Sequence, residues 1–141
     1  MIDATWIHEK FLSSKKYWTK LNEIISKTSD DLESDLNLQL TAERIFEILI
    51  QIILDICTHI IAHVKESPPQ TYAECMKKLS NIGVIREQTG ELAISLVKMR
   101  NIVVHQYGKI NYNLLFEGLK ELIEGFPVYQ DEVLKWIDSQ D

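Results

Sequence analysis

Between Leu38 and Val64 the chain has hardly a side that it can leave in water. Leu38, Ala42, Ile45, Leu49, Ile52, Ile56, Ile60 and Val64 recur at three- and four-residue spacing, which aligns them along one stripe of an α-helix. Phe46, Ile50, Ile53 and Ile61 widen that stripe. A helix apolar around most of its circumference has to be covered on several sides, by its own bundle or by another subunit. A bilayer is not the expected cover, because Glu47, Gln51, Asp55, His59 and His63 interrupt the run and a membrane span tolerates few such residues. Ser67-Pro68-Pro69 stops the helix just after Glu66, since proline lacks an amide donor and restricts the residue before it. Its start is open by several residues, because Thr41-x-x-Arg44 is not a capping box.

The rest of the chain carries the same helical period. Ile7, Phe11, Trp18, Leu21 and Ile25 form one face of a first helix, which the polar run from Ser29 to Asp35 is expected to end. A short helix is expected from about Thr71 to Leu79, with a turn at Asn81-Ile82-Gly83. A further helix from about Ile85 carries Leu92, Leu96, Met99 and Val103 at helical spacing. Asn111 is placed to cap the last helix, whose apolar face is Leu114, Leu115, Leu119, Leu122 and Ile123. Gly125-Phe126-Pro127 is expected to kink or interrupt it before Val133, Leu134 and Ile137 resume the pattern. With no sustained strand alternation, linker or repeat, residues 1–141 read as one all-α domain, an antiparallel helix bundle around a long, largely apolar second helix.

Charge and cysteine usage narrow the function. With 15 Lys plus Arg against 21 Asp plus Glu the formal charge is −6, which argues against a general nucleic-acid coat but leaves room for a local basic cleft. Cys57 and Cys75 lie on separate segments without a C-x-x-C pairing, so neither a disulfide framework nor a zinc site is expected. The N-terminus has acidic Asp3 and aromatic Trp6 where a secretory signal would be basic and then apolar. A reducing cytoplasm fits these features best. Trp6, Trp18 and Trp136 read most simply as core or interface aromatics.

Chemistry concentrates in Arg100-Asn101-Ile102-Val103-Val104-His105-Gln106-Tyr107, directly after an apolar helical run. Arg supplies fixed donors for a phosphate, and His exchanges protons near neutral pH. Asn holds a hydroxyl or phosphate oxygen, and Tyr stacks or presents its hydroxyl. Together these groups suffice to bind and cleave a phosphodiester without a metal or cofactor. In a straight helix Arg100 and His105 diverge by about 140°, while Asn101 and His105 share a face. The motif therefore works either by ending the helix near Val104, so that His105 swings back, or by meeting a symmetric partner. The plain alternative is a surface arginine at a helix C-terminus, where the dipole favours cations, beside a capping histidine and a half-buried tyrosine. Lys98 and Lys109 flank the motif, and Lys15, Lys16, Lys20, Lys77 and Lys78 are further cations on helix faces. A second constellation, Asp55, His59 and His63 at four-residue spacing, projects a carboxylate and two imidazoles from one helix face and could begin a helical-bundle metal site.

The string R-N-x-x-x-H-x-Y resembles the signature of the HEPN ribonuclease toxins, in particular the HepT-like branch. Asp55-Ile56-Cys57-Thr58-His59-Ile60 is similar to the D-I-x-x-H-I segment of the second helix of that family, in the expected order and separation. The resemblance implies a metal-independent endoribonuclease in which Arg100 clamps the phosphate and His105 acts as general base or acid. Asn101 then positions a phosphate oxygen or His105, and Asp55 orients Arg100. The cleavage is the attack of a 2′-hydroxyl on its own phosphate, leaving a 2′,3′-cyclic phosphate and a 5′-hydroxyl. A homodimer is expected on two physical grounds: the long second helix carries more apolar surface than one small bundle can cover, and a single imidazole does not easily act as base and acid at once. The resemblance further implies an RNA substrate such as tRNA or mRNA, and no DNA or membrane partner. It also implies a minimal nucleotidyltransferase antitoxin that silences the toxin by adding AMP to Tyr107. Two rival readings remain: a non-catalytic HEPN module that binds a nucleotidyltransferase, and a metal protein built on Asp55, His59 and His63. Pro127 departs from the family pattern.

Overall fold

In a computed structural model of the protein, the described residues are 2–64, 66–105 and 110–140, and the side chains of Val104 and His105 fall outside that description. Six helices account for most of them: α1 (Ala4–Ile25), α2 (Ser29–Ser34), α3 (Leu36–His63), α4 (Tyr72–Asn81), α5 (Glu87–His105) and α6 (Tyr112–Asp138).

The apolar circumference of α3 is explained by its neighbours, since it packs against each of the other five helices. Twelve of its side chains are buried, from Ala42 and Phe46 through Leu49, Ile53 and Ile56 to Ile61. Full burial of such side chains contributes roughly 1.5–3 kcal/mol each. By length and hydropathy α3 is able to cross a bilayer, but it is the core helix of this bundle. Only Leu36 and Leu40, at its N-terminal end, leave large apolar groups in water. Its own bundle, and not a second subunit, therefore covers the helix, and the expectation that its apolar surface exceeds what one bundle can cover is corrected.

Local signals set the helix ends. Asp3, Asp35, Thr71 and Asn111 each accept a backbone amide from the first turn of α1, α3, α4 and α6, relieving one of the four orphan donors at each start. The start of α3 is thus Asp35, six residues before Thr41. The polar run after α1 is not a loop: Thr28 and Asp31 form a capping box and α2 folds there with Leu32 buried beneath it. Gly83, at φ +85°, turns the chain from α4 into α5 in a conformation that L-side chains rarely adopt.

The expected break at Gly125-Phe126-Pro127 is absent, and α6 runs without interruption from Tyr112 to Asp138. Pro127 is exposed and removes a single helical hydrogen bond. Phe126, Tyr129 and Val133 are buried around it, and the Tyr129 hydroxyl donates to the Ile53 carbonyl of α3 at 3.0 Å. Packing on α3 holds the helix together across the proline. Helices α5 and α6 cross closely: a Cβ on Gly118 would overlap Met99 Sδ, and one on Gly125 would overlap Leu92 Cδ2.

Candidate active site

The first turn of α5 is held from a distance. Glu132 of α6 accepts the Arg86 amide at 2.6 Å and the Thr89 hydroxyl at 2.8 Å, and it faces Arg86 Nε at 3.5 Å. A carboxylate at a helix N-terminus is favoured by the dipole, so α6 supplies the cap that the sequence around Ile85 lacks. Helix α5 then brings Arg100 to the middle of α3.

The α5 backbone is helical through His105. Arg100 and His105 therefore leave the axis about 140° apart and are separated along it by about 7.5 Å. Asn101 is exposed, as is Lys98 one turn of chain before it. Gln106, Tyr107, Gly108 and Lys109 lie outside the described residues, as does the side chain of His105.

Arg100 is half-buried and is held from α3. Its Nη2 donates to Gln51 Oε1 at 2.7 Å. Gln51 Nε2 in turn donates to Asp55 Oδ1 at 2.8 Å, and Asp55 Oδ2 faces Lys10 Nζ of α1 at 3.4 Å. A row Lys10–Asp55–Gln51–Arg100 thus crosses three helices. Arg100 Nε is enclosed and has no hydrogen-bond partner among the described residues. An enclosed donor without an acceptor costs about 1–3 kcal/mol, and Trp18 Nε1 is a second such donor among the described residues.

Asp55 reaches Arg100 only through Gln51, so the support expected of Asp55 is indirect. Gln51 and Lys10 are the residues that the sequence reading missed. The available signal was spacing: Gln51 stands one turn before Asp55 on the same helix face, polar among isoleucines.

His59 and His63 serve the other end of α3. His59 Nε2 accepts the Asp3 amide at 3.1 Å, and its ring stacks on Trp6 with centroids 4.7 Å apart. His63 lies 4.3 Å from it, ring to ring, and its Nδ1 is 2.7 Å from the His59 carbonyl oxygen. Burial first, then the neighbouring His63, push His59 below the ordinary imidazole range, against a weaker pull from Asp3. Asp55 spends its oxygens on Gln51 and Lys10, and His59 spends its lone pair on a backbone amide. Among the described residues no three His, Cys, Asp or Glu side chains converge on one point. His59 ties down the N-terminus, and the three side chains of the constellation turn to different partners.

Of the other cations, Lys20 pairs with Glu23, Lys78 with Glu74, and Lys16 lies over the ring of Tyr17. Trp6, Trp18 and Trp136 are half-buried against the core. Cys57 and Cys75 are buried, free thiols on α3 and α4.

Comparison with known proteins places this architecture. The family described as ribonuclease HepT-like matches residues 14–133. Among solved structures, a tri-AMPylated HEPN toxin of Shewanella oneidensis in complex with its MNT antitoxin superposes with a TM-score of 0.82 at 20% identity, covering 94% of this chain and 98% of that one. YutE of Bacillus subtilis, a cytosolic protein of unknown function, gives 0.85 at 21% identity over 99% and 93% of the two chains. A toxin–antitoxin structure with AMP-PNP gives 0.81 at 19% identity over 90% and 96%. No curated protein sequence matches the chain.

Proposed function

The chain belongs to the HepT-like ribonuclease family, and from that membership we propose that it is the toxin of a HEPN/MNT-type pair, a metal-independent endoribonuclease acting in the cytoplasm. The observation that carries the reading is Arg100: a half-buried guanidinium near the end of α5, fixed through one nitrogen to the neutral oxygen of Gln51. A donor set of that kind suits a phosphate oxygen on which charge builds during cleavage. His105, five residues on, supplies the proton transfer. The base takes the proton of the 2′-hydroxyl, its oxygen attacks the adjacent phosphorus, and the 5′-oxygen departs with a proton from the acid. The products are a 2′,3′-cyclic phosphate and a 5′-hydroxyl end, and no metal or cofactor enters the step. Asn101, exposed on the helix face it shares with the backbone of His105, positions a phosphate oxygen.

One imidazole cannot serve as base and acid in the same step, and the helical backbone of α5 separates Arg100 from His105. Both facts favour a homodimer whose two motifs face one cleft. Ile102 and Leu114, exposed beside the motif at 45% and 42%, offer apolar surface for that contact. The partner that regulates the site is a minimal nucleotidyltransferase, by analogy with the complex of the Shewanella toxin. Addition of AMP to Tyr107, with pyrophosphate leaving ATP, places bulk and negative charge where an RNA phosphate has to sit.

The experiment is RNA cleavage in EDTA by the original chain, by His105→Ala, by Arg100→Ala, and by a mixture of the two variants. Each variant alone is expected to lose on the order of 10²–10⁴ in rate, and the mixture stays impaired, because a mixed dimer brings one imidazole to a cleft that uses two. Full cleavage by folded His105→Ala sinks the assignment, and original-level cleavage by the mixture of folded variants sinks the two-imidazole cleft.

A further inference from the structure

Gln51 is the side chain that touches Arg100, and it lies 49 positions away from it in the sequence. Its orientation is not free. Asp55, ionised, only accepts hydrogen bonds, so the amide must turn its NH₂ toward Asp55 and its oxygen toward Arg100. Lys10, 3.4 Å from the other oxygen of Asp55, fixes that carboxylate from the far side. The row therefore ends on a neutral oxygen.

We propose that Gln51 is a positioning residue that aims Arg100 through an uncharged acceptor, so that the guanidinium is held in place while its full charge stays available to an anionic phosphate. A carboxylate at residue 51 would hold the guanidinium more strongly, but it would also cancel its field toward an approaching anion. Asp55 supplies the charge that makes the row firm, one amide removed from Arg100 and shared with Lys10. The design separates two demands that a direct Asp–Arg pair would set against each other: rigidity of the clamp and strength of the clamp. It rests on Arg100 being the phosphate-binding residue of the proposed ribonuclease site.

The test uses the full chain with Gln51→Glu, Gln51→Leu and the double variant Gln51→Glu/Asp55→Asn. Nitrogen-15 spectra of the Arg100 side chain report how firmly the guanidinium is held, and binding of a 2′-O-methyl oligoribonucleotide, which cannot cleave itself, reports the charge it offers. Gln51→Leu is expected to let the guanidinium rotate freely. Gln51→Glu is expected to keep it ordered through a direct ion pair, with a lower melting temperature because the introduced carboxylate faces Asp55 without a donor between them, and to weaken oligonucleotide binding about ten-fold and lower the salt slope by about one phosphate contact. The double variant restores the row with reversed polarity, because the amide introduced at residue 55 donates to the carboxylate introduced at residue 51, so the melting temperature recovers while binding stays weak. Oligonucleotide binding by Gln51→Glu equal to that of the original overturns the proposal, as does an Arg100 signal in Gln51→Leu as rigid as the original. Failure of the original chain to cleave RNA overturns the ribonuclease reading instead, because neither readout here requires cleavage.

Discussion

Replacing Asp55 separates two ways in which it can support Arg100: by its charge, or by its hydrogen bond to Gln51. Its pair with Lys10 spans 3.4 Å with the side chains 32% and 35% exposed, so its contribution is that of a partly solvated pair, about 0.5 kcal/mol. The 2.8 Å bond from Gln51 to a charged acceptor belongs to the class worth about 1.5–3 kcal/mol, and partial exposure reduces it to about 1.5 kcal/mol. Asp55→Ala removes both, about 2 kcal/mol, which lowers the melting temperature of a chain this size by roughly 6–8 °C. Asp55→Asn removes the charge but keeps an oxygen for the Gln51 amide, so its loss is about 0.5–1 kcal/mol and roughly 2–3 °C. If the hydrogen bond is what steadies Arg100, RNA cleavage follows the same order. Asp55→Asn then stays within about three-fold of the original, and Asp55→Ala falls about ten-fold, the rate equivalent of ~1.4 kcal/mol at the transition state. Thermal melts by circular dichroism and initial rates in EDTA measure the two quantities on the same samples. Equal loss of cleavage in both variants, despite their different melting temperatures, refutes the hydrogen-bond account and makes the charge decisive. Undiminished cleavage by Asp55→Ala shows that the row does not reach the chemistry at all.

Two further outcomes follow from the same stripe of α3 and from the motif. His59 is held below the ordinary imidazole range, so the unfolded chain binds the extra proton more readily than the folded one. Its contribution to stability is complete above about pH 6.5 and is lost as pH falls through the lowered folded value. Melting temperature and Trp6 fluorescence should change together on acidification, and a His59→Gln chain with the same acid sensitivity refutes the link. Tyr107→Phe should cleave RNA nearly as well as the original but gain no AMP mass when incubated with a cognate nucleotidyltransferase and ATP. Equal modification of both chains moves the target to another residue.

The bundle was legible wherever the signal was local and repeated. The apolar stripe of α3, the turn at Gly83 and the cap at Asn111 all rest on residues within a few positions of the feature they predict. What was misread depends on contacts that the chain makes across long separations. Pro127 reads as a break because the sequence does not reveal that Tyr129 bonds the Ile53 carbonyl. The start of α5 carries no cap of its own, because Glu132 comes from 46 residues away to accept the Arg86 amide. The need for a second subunit to cover α3 was inferred by counting apolar residues without knowing that all five other helices converge on them. The motif was visible as chemistry, whereas the residue that holds its arginine was not, since a lone glutamine on a core helix reads as an interruption.

Gln51, Asp55 and His59 follow one another at four-residue steps, and each is half-buried. They lie on the one stripe of α3 that the isoleucines leave unclaimed, between the contacts made to α1 and to α5. A helix packed by five neighbours has no other place for polar side chains, because each would be buried without water to satisfy it. The same constraint that makes α3 so apolar therefore gathers its few polar groups into a single line, where each one finds a partner: Arg100 for Gln51, Lys10 for Asp55, the N-terminal backbone for His59. This explains why a constellation that looks from its spacing like a metal site is a brace instead. The imidazole and the carboxylate are directed along the helix, each toward a different neighbouring segment, and not toward a common point. It also ties the arginine of the site to the most heavily packed element of the fold. A guanidinium carried by the last turns of a helix is mobile by default, and here it borrows the rigidity of the core through one neutral amide.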